Sequence, residues 1–403
     1  MNRVPTAVFL AALPRMRVCG MIHAGVMRYA ASRKWDVRFL SWKETRAGAL
    51  RAAAAAEKAR PLGFVVECGD GPCDLPASLF GGLPAVFVNC VSTPRSRRFV
   101  RLPIDNAAIA RAAFRELSLL NPPAFAIVDF RLAEGNWPTL RMDAFSAAAV
   151  EAGAVCHAFS FRHPVEKDSS GETRRLADWL SRLPRHTAVF AVNDQTSADI
   201  VEAASLARLR IPQDITLLGV DNNPAICEIS KPTLSSIPVD FENAGVLAAK
   251  MLGELVSRRD AETQNAAVGP LLAVRRESTR GFGRREPNIL EAVELIRRKA
   301  CDGITAAKLI SRFPGSRWLF ELRFREATGH SVLDEILHVR LERACTLLAA
   351  TDTSIDAIAD FCGFGSPRSL RAHFLKHIGM SMREFRARTS PRTALSHRHP
   401  TLH

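Results

Sequence analysis

The period of the apolar residues changes once along this chain, and that change limits the folds open to it more than any other feature. From Thr6 to about Ser236, short apolar runs alternate with amphipathic helical segments. The runs are Thr6–Leu10, Asp36–Trp42, Gly63–Cys68, Ala85–Asn89, Ala124–Asp129, Val155–Phe161, Ala188–Val192 and Ile215–Val220. Between them lie Met21–Ser32, Ala107–Leu119, Arg141–Ala152, Thr173–Ser181 and Thr196–Leu206. Strands that are apolar throughout, separated by helices, predict parallel sheets covered on both faces. There are more strands than one small sheet needs, so two α/β lobes with a cleft between them are expected. A helix, Phe241–Ser257, and a strand, Pro270–Arg275, close this part.

From Asn288 onward the strand rhythm stops. Ile289, Val293 and Ile296, then Leu333, Ile336, Leu337, Leu341, Ala344, Leu347 and Leu348, then Ile355, Ile358 and Ala359 recur at helical spacing. The expected organisation is a ligand-sensing domain over residues 1–280, a Gly- and charge-rich linker over 281–287 and an all-α domain over 288–388. A disordered tail is expected over 389–403, where Pro391, Pro400 and three histidines carry no apolar period.

Charge follows the same division. The 120 residues from Arg284 hold 20 Lys and Arg against 13 Asp and Glu, a net +7 that is half of the chain's +14 in under a third of its length. Such an excess attracts a polyanion. The nine cysteines are odd in number, lack CxxC spacing and mostly lie in apolar runs, which reads as buried thiols of a reducing compartment with neither a disulfide frame nor a zinc site. His397 and His399 have no nearby Cys or acid, so no metal is expected. The run Ala7–Leu13, ended by Pro14 and followed by Arg15 and Arg17, reads as a first strand and not as a leader. No apolar stretch approaches the about 20 residues that cross a bilayer. A cytoplasmic protein with no membrane partner is expected.

Two segments of the helical part share one plan. Thr305–Leu309, a turn through Arg312–Gly315 and Ser316–Glu326 form the first; Ser354–Phe361, a turn through Cys362–Gly365 and Ser366–His377 form the second. Thr305, Ser316, Ser354 and Ser366 stand as N-caps. In a helix-turn-helix the first helix braces the second, whose side chains enter the major groove of DNA. Phe320 and Phe324, then Leu370 and Phe374, occupy core-facing positions. Arg317, Trp318, Glu321 and Arg325 on the first reader, and Ser366, Arg368, Arg371 and Lys376 on the second, are the candidate DNA contacts. Arg and Lys neutralise phosphates and bond guanine edges, and Trp packs on sugar or a thymine methyl.

Arg340-Leu-Glu-Arg-Ala344, Leu347-Leu348, Thr351, Ser354-Ile355, Ile358-Ala359, Cys362-Gly-Phe364, Phe374, His377 and Gly379 to Phe385-Arg386 resemble the signature of the arabinose-regulator (AraC) family over about Asn288–Arg388. The resemblance implies two recognition helices that meet successive major-groove faces. Leu102-Pro-Ile-Asp-Asn106, Arg141-x-x-Ala-Phe145, Phe190-Ala-Val-Asn-Asp194, Arg210-Ile-Pro-Gln-Asp-Ile215, Leu218-Gly-Val-Asp-Asn222 and Lys231-Pro-Thr-Leu-Ser-Ser236 resemble the ligand-binding core of the LacI repressors and periplasmic sugar-binding proteins. The implied fold is a two-lobed, periplasmic-binding-protein-like α/β sensor followed by an all-α domain with two helix-turn-helix motifs. By the same resemblance Arg141, Asp194, Asp221 and Trp137 are candidate cleft residues, with Asp70 and Arg17 at the first lobe. Carboxylates and guanidinium forks hold sugar hydroxyl pairs, and an aromatic face covers the C–H side of the ring.

The expected function is a DNA-binding transcription regulator controlled by a small molecule, a sugar such as a pentose. Its expected partners are double-stranded operator DNA, the effector and a second copy of the chain, with RNA polymerase a further candidate. The competing reading is the solute-binding protein of a sugar transporter. No catalytic residue and no cofactor is expected: GxSxG, P-loop and HExxH motifs are lacking.

Overall fold

Thr6–Ala11 (β1), Gly63–Glu67 (β3) and Ala85–Val88 (β4) are the strands whose runs are apolar on both faces, and they form the middle of the first sheet. In the computed structural model, residues 4–12, 17–41, 61–69, 73, 75–90, 92–130, 136–161, 169–257, 267–279, 287–328, 331–351, 353–378 and 381–389 are described. The chain forms two units, Met1–Gly283 and Arg284–His403.

The first unit holds two five-stranded parallel sheets, as its alternating pattern requires. Asp36–Ser41 (β2) and Phe99–Leu102 (β5) flank the first, in the order β2-β1-β3-β4-β5. The second holds Phe125–Phe130 (β6), Cys156–Phe161 (β7), Thr187–Ala191 (β8), Ile215–Val220 (β9) and Ser235–Ile237 (β10), in the order β10-β9-β8-β6-β7. Its helices are Arg17–Arg33 (α1), Asn106–Ser118 (α2), Trp137–Glu151 (α3), Ser169–Ser181 (α4), Asp194–Leu206 (α5), Pro224–Cys227 (α6) and Phe241–Ser257 (α7). α7 follows the last strand of the second sheet yet packs on α1, β3 and β4 of the first. The lobes are therefore joined by crossing chain as well as by side chains.

α1 and α7 meet backbone to backbone. A Cβ placed on Gly25 would stand 1.9 Å from the Glu242 carbonyl, and one on Gly245 would stand 1.9 Å from the Ile22 carbonyl. Only glycine admits this approach at both points.

Three expectations are corrected. β5 and β10 were not foreseen: β5 is a short edge strand with Arg101 exposed, and β10 opens on serines that are buried because they hydrogen-bond inside the lobe. Pro270–Arg275 forms no strand; residues 268, 270 and 274 make only isolated bridges to Ile104, Val239 and Ser236, and Pro270 has no N–H to give a ladder. The cysteines are not all thiols. Cys68 and Cys90 form a disulfide with Cα atoms 5.1 Å apart, because β3 and β4 are neighbours and their carboxyl ends lie side by side. Cys73, Cys156, Cys301 and Cys345 are half-buried and not fully enclosed. Of the expected linker over 281–287 and tail over 389–403, residues 281–286 and 390–403 lie outside the described residues, while Pro287 begins a helix and Thr389 ends one.

The second unit is all helical: Pro287–Lys299 (α8), Ala306–Ile310 (α9), Arg317–Thr328 (α10), Val332–Ala350 (α11), Ile355–Phe361 (α12), Pro367–Ile378 (α13) and Met382–Thr389 (α14). α11 packs against each of the other six. Ser331 starts it with a capping box, its hydroxyl accepting the Asp334 N–H while the Asp334 carboxylate accepts the Ser331 N–H. No helix of the described residues is long and apolar enough to cross a membrane.

Replacing Gly245 by Ala forces α1 and α7 apart, an overpacking expected to cost about 1–3 kcal/mol. The denaturant midpoint of the first unit's transition should fall accordingly; an unchanged midpoint would contradict the close crossing.

Candidate functional site

Open parallel sheets bind ligands beyond the carboxyl ends of their strands, and the candidate residues of the first unit gather there. Arg141 lies one turn into α3 and is 4% exposed, which for a guanidinium demands hydrogen-bonding partners. Its Nε donates to Asn106 Oδ1 at 3.0 Å and its Nη1 to the Val192 carbonyl at 2.5 Å, at the end of β8. Its guanidinium lies 4.4 Å from the centroid of the Trp137 ring, and Trp137 in turn meets Phe130 edge to face at 5.3 Å. Asn136, just before α3, is buried, and its Oδ1 has no hydrogen-bond partner among the described residues.

Asp221 follows β9 and starts a turn in which Asp221 and Asn222 have φ of 98° and 47°. Burial pushes its carboxyl above the usual carboxylate range, while the guanidinium groups of Arg141 and Arg17 pull it down. Arg17, at the start of α1, donates from Nη1 to the Asp221 carbonyl at 3.2 Å. This bond joins the first lobe to the second at the carboxyl ends of both sheets.

Asp194 is nearby but differently placed. It is 1% exposed, and its two oxygens accept from Ser236 Oγ and the Asn223 N–H, each at 2.6 Å. Burial pushes its pKa up to about 6; those two hydrogen bonds hold it down, and the negative charge of Asp221 adds to the rise. On the first-lobe side, Glu67 is buried at the end of β3 and accepts from the Gly69 N–H at 2.8 Å and from Asn89 Nδ2 at 3.5 Å. The thiol of Cys19 leans on Glu67, and burial followed by that carboxylate pushes it up to about 12. The structure therefore brings Arg141, Asp194, Asp221 and Trp137 together, and Asp70 lies outside the described residues. Sequence reasoning did not single out Asn106, Asn136, Glu67 and Ser236 as site residues; Asn106 and Ser236 carried a signal, since each ends a stretch that carries the resemblance. Among the described residues no group of His, Cys, Asp and Glu could hold a metal ion.

In the second unit all four expected caps are formed. Thr305, Ser316, Ser354 and Ser366 hydroxyls accept from the N–H groups of Lys308, Leu319, Ala357 and Ser369 at 3.2–3.3 Å. Phe320 and Phe324 of α10, with Leu370 and Phe374 of α13, are buried. Arg317, Trp318 and Arg325 of the first reader are exposed and Glu321 is half-buried; Arg368, Arg371 and Lys376 of the second are exposed. Arg371 lies 3.9 Å from Asp356, an exposed and therefore weak pair. Leu319 and Leu322 add exposed apolar surface beside Trp318. Arg340 of α11 ties the two motifs: its Nε and Nη2 donate to the carbonyls of Ala300 at 2.8 Å and Ile304 at 2.9 Å, and its guanidinium lies 5.9 Å from the Phe364 ring centroid.

Residues 124–279 match the periplasmic binding protein-like domain and residues 310–388 the helix-turn-helix domain. The xylose operon regulatory protein of Escherichia coli strain K12 is 28% identical over 283 residues, 70% of this chain and 72% of that protein. Its namesake from Haemophilus influenzae is 26% identical over 289 residues, 72% of this chain and 75% of that protein. The solved structure of a xylose-binding transcription activator matches with a TM-score of 0.53 at 23% identity, covering 95% of this chain and 98% of that one. At that identity the structural likeness speaks for the fold.

Arg340→Ala removes two hydrogen bonds from a charged donor, each worth about 1.5–3 kcal/mol. The second unit's melting temperature should drop by several degrees, with Arg340→Lys intermediate; a variant as stable as the parent would show that Arg340 ties nothing.

Proposed function

We propose that this chain, an AraC-type helix-turn-helix transcription regulator carrying a periplasmic-binding-protein-like domain, binds operator DNA through α10 and α13 under the control of a pentose held between the lobes of its first unit. The observation that carries the DNA side is the pair of serine-capped helices, each burying two large apolar side chains while its arginines face solvent. A bundle needs the buried pairs. It has no need of exposed arginines repeated on both second helices, whereas a phosphate backbone attracts them.

The sugar side is supported by the chemistry of the turn after β9. Asp221 carries a carboxylate between two guanidinium groups, one from each lobe, with the Trp137 ring adjoining. Carboxylate and guanidinium together suit neighbouring hydroxyls, and the indole suits the C–H face of a ring. Two relatives that cover most of this chain are named for xylose operons, which favours a pentose. In the proposed mechanism the sugar draws the lobes together and alters how two copies present their DNA readers. It shifts DNA affinity by no more than its differential affinity for the two arrangements. The site of action is the cytoplasm, where operator DNA is.

On DNA selected from a random pool, affinity should fall by about 10³–10⁵ between 50 and 200 mM salt if six to ten phosphates are neutralised. Arg317→Ala and Arg371→Ala should each weaken binding by about 1–3 kcal/mol in gel shifts. A flat salt response, or full affinity in both variants, would remove the DNA reading.

A pentose that binds only the folded state should raise the melting temperature. Asp221→Ala should abolish that shift and leave sugar-free DNA affinity unchanged. A normal shift in the variant would take Asp221 out of the site.

A further inference from the structure

The turn Asp221–Asn223 is the least comfortable backbone near the cleft. Two consecutive residues with side chains occupy the left-handed region, at φ of 98° and 47°. Such conformations persist only where the surroundings over-determine them. Three successive N–H groups of the turn are each held: Asp221 by the Ile237 carbonyl at 2.9 Å, Asn222 by Ser236 Oγ at 2.9 Å and Asn223 by Asp194 Oδ2 at 2.6 Å. Ser236 in turn donates its hydroxyl to Asp194 Oδ1 at 2.6 Å. One carboxylate therefore stands behind two of the three bonds, directly for Asn223 and through Ser236 for Asn222. Arg276 adds a side-chain bond, from Nη2 to Asn222 Oδ1 at 2.9 Å.

The seat of that carboxylate is built for it. A Cβ on Gly219, in β9, would lie 2.5 Å from Asp194 Oδ1 and 2.5 Å from Ser197 Oγ. A side chain at 219 would force the carboxylate or the Ser197 hydroxyl to shift from this seat. Asp194 also opens α5, where Asn193 supplies the cap by accepting the Thr196 N–H at 2.8 Å, so the helix N-terminus favours a negative charge at this place. With 1% exposure and both oxygens engaged, the carboxylate faces protein and not the cleft.

We infer that Asp194 is a positioning residue of the effector site: seated in the gap left by Gly219, it holds the left-handed turn and thereby fixes Asp221 opposite Arg17. This accounts for two stretches distant in sequence, Asn193-Asp194 and Gly219-Val-Asp221, as parts of one device. Only its last step, the effect on the effector, rests on the sugar reading above.

The test uses the full chain and the variants Asp194→Asn, Asp194→Ala and Ser236→Ala. Amide hydrogen exchange is followed for the peptide containing Asn222 and Asn223 and for β8 and β9, with D-xylose and then the other pentoses titrated as probes. The expected result is exchange at least tenfold faster in the turn with β8 and β9 unchanged, pentose affinity at least tenfold weaker, and sugar-free DNA affinity intact. Asp194→Asn, nearly isosteric, should retain the fold even if Asp194→Ala does not. Turn exchange like the parent's overturns the inference. So does faster turn exchange with full pentose affinity, or loss of protection throughout the sheet in all three variants, which would make Asp194 a core residue only. If the unsubstituted chain binds no pentose, the sugar reading falls and the exchange result alone decides whether Asp194 holds the turn.

Discussion

The packing of α11 against every other described helix of the second unit is the constraint on which DNA recognition depends. A helix-turn-helix of two short helices is too small to bury a core alone. Here Leu337, Leu341, Ala344 and Leu348 of α11 share one buried cluster with Ile358, Ala359, Phe364, Leu370 and Phe374 of the second motif. The same helix sends Arg340 to the carbonyls of Ala300 and Ile304, just before the first motif. Both readers are thus referred to one rigid element, which is what a fixed spacing along DNA requires.

The first unit achieves its definition differently. Its central strands are buried, but the contact that sets α1 against α7 is an exchange of two missing side chains, at Gly25 and Gly245. α1 then carries Arg17 to the Asp221 carbonyl across the lobes. The polar groups near that point are mostly satisfied by neighbouring backbone: Arg141 by Val192, Asp194 by Asn223, Glu67 by Gly69. The guanidinium groups of Arg141 and Arg17 both act on the Asp221 carboxyl, which burial pushes up and they pull down.

Much of this was legible in the sequence, for reasons that can be named. Apolar period gave the long elements; α7 begins and ends where the pattern does, and β9 likewise. Hydroxyl residues before each short helix announced caps because a free N–H at a helix start needs an acceptor. β10 was not legible, since Ser235 and Ser236 look like surface residues until Ser278 and Asp194 are known to be their partners. The Cys68–Cys90 bond was not legible either, because it depends on β3 and β4 being neighbours, which apolar period does not specify. The family resemblance made Asp194 a cleft candidate but could not say which way its carboxylate points. The space beside Gly219 decides that.

In the proposed mechanism two helices on one splint read DNA together in response to a sugar. Hydroxyl-radical footprinting of the full chain on its selected operator addresses it most directly. Two protected segments should appear, centred about one helical turn apart on one face of the duplex, and their protection should change when the pentose is added. A single protected segment would mean that the two helices do not read DNA together, and two that ignore the sugar would mean that it does not control them.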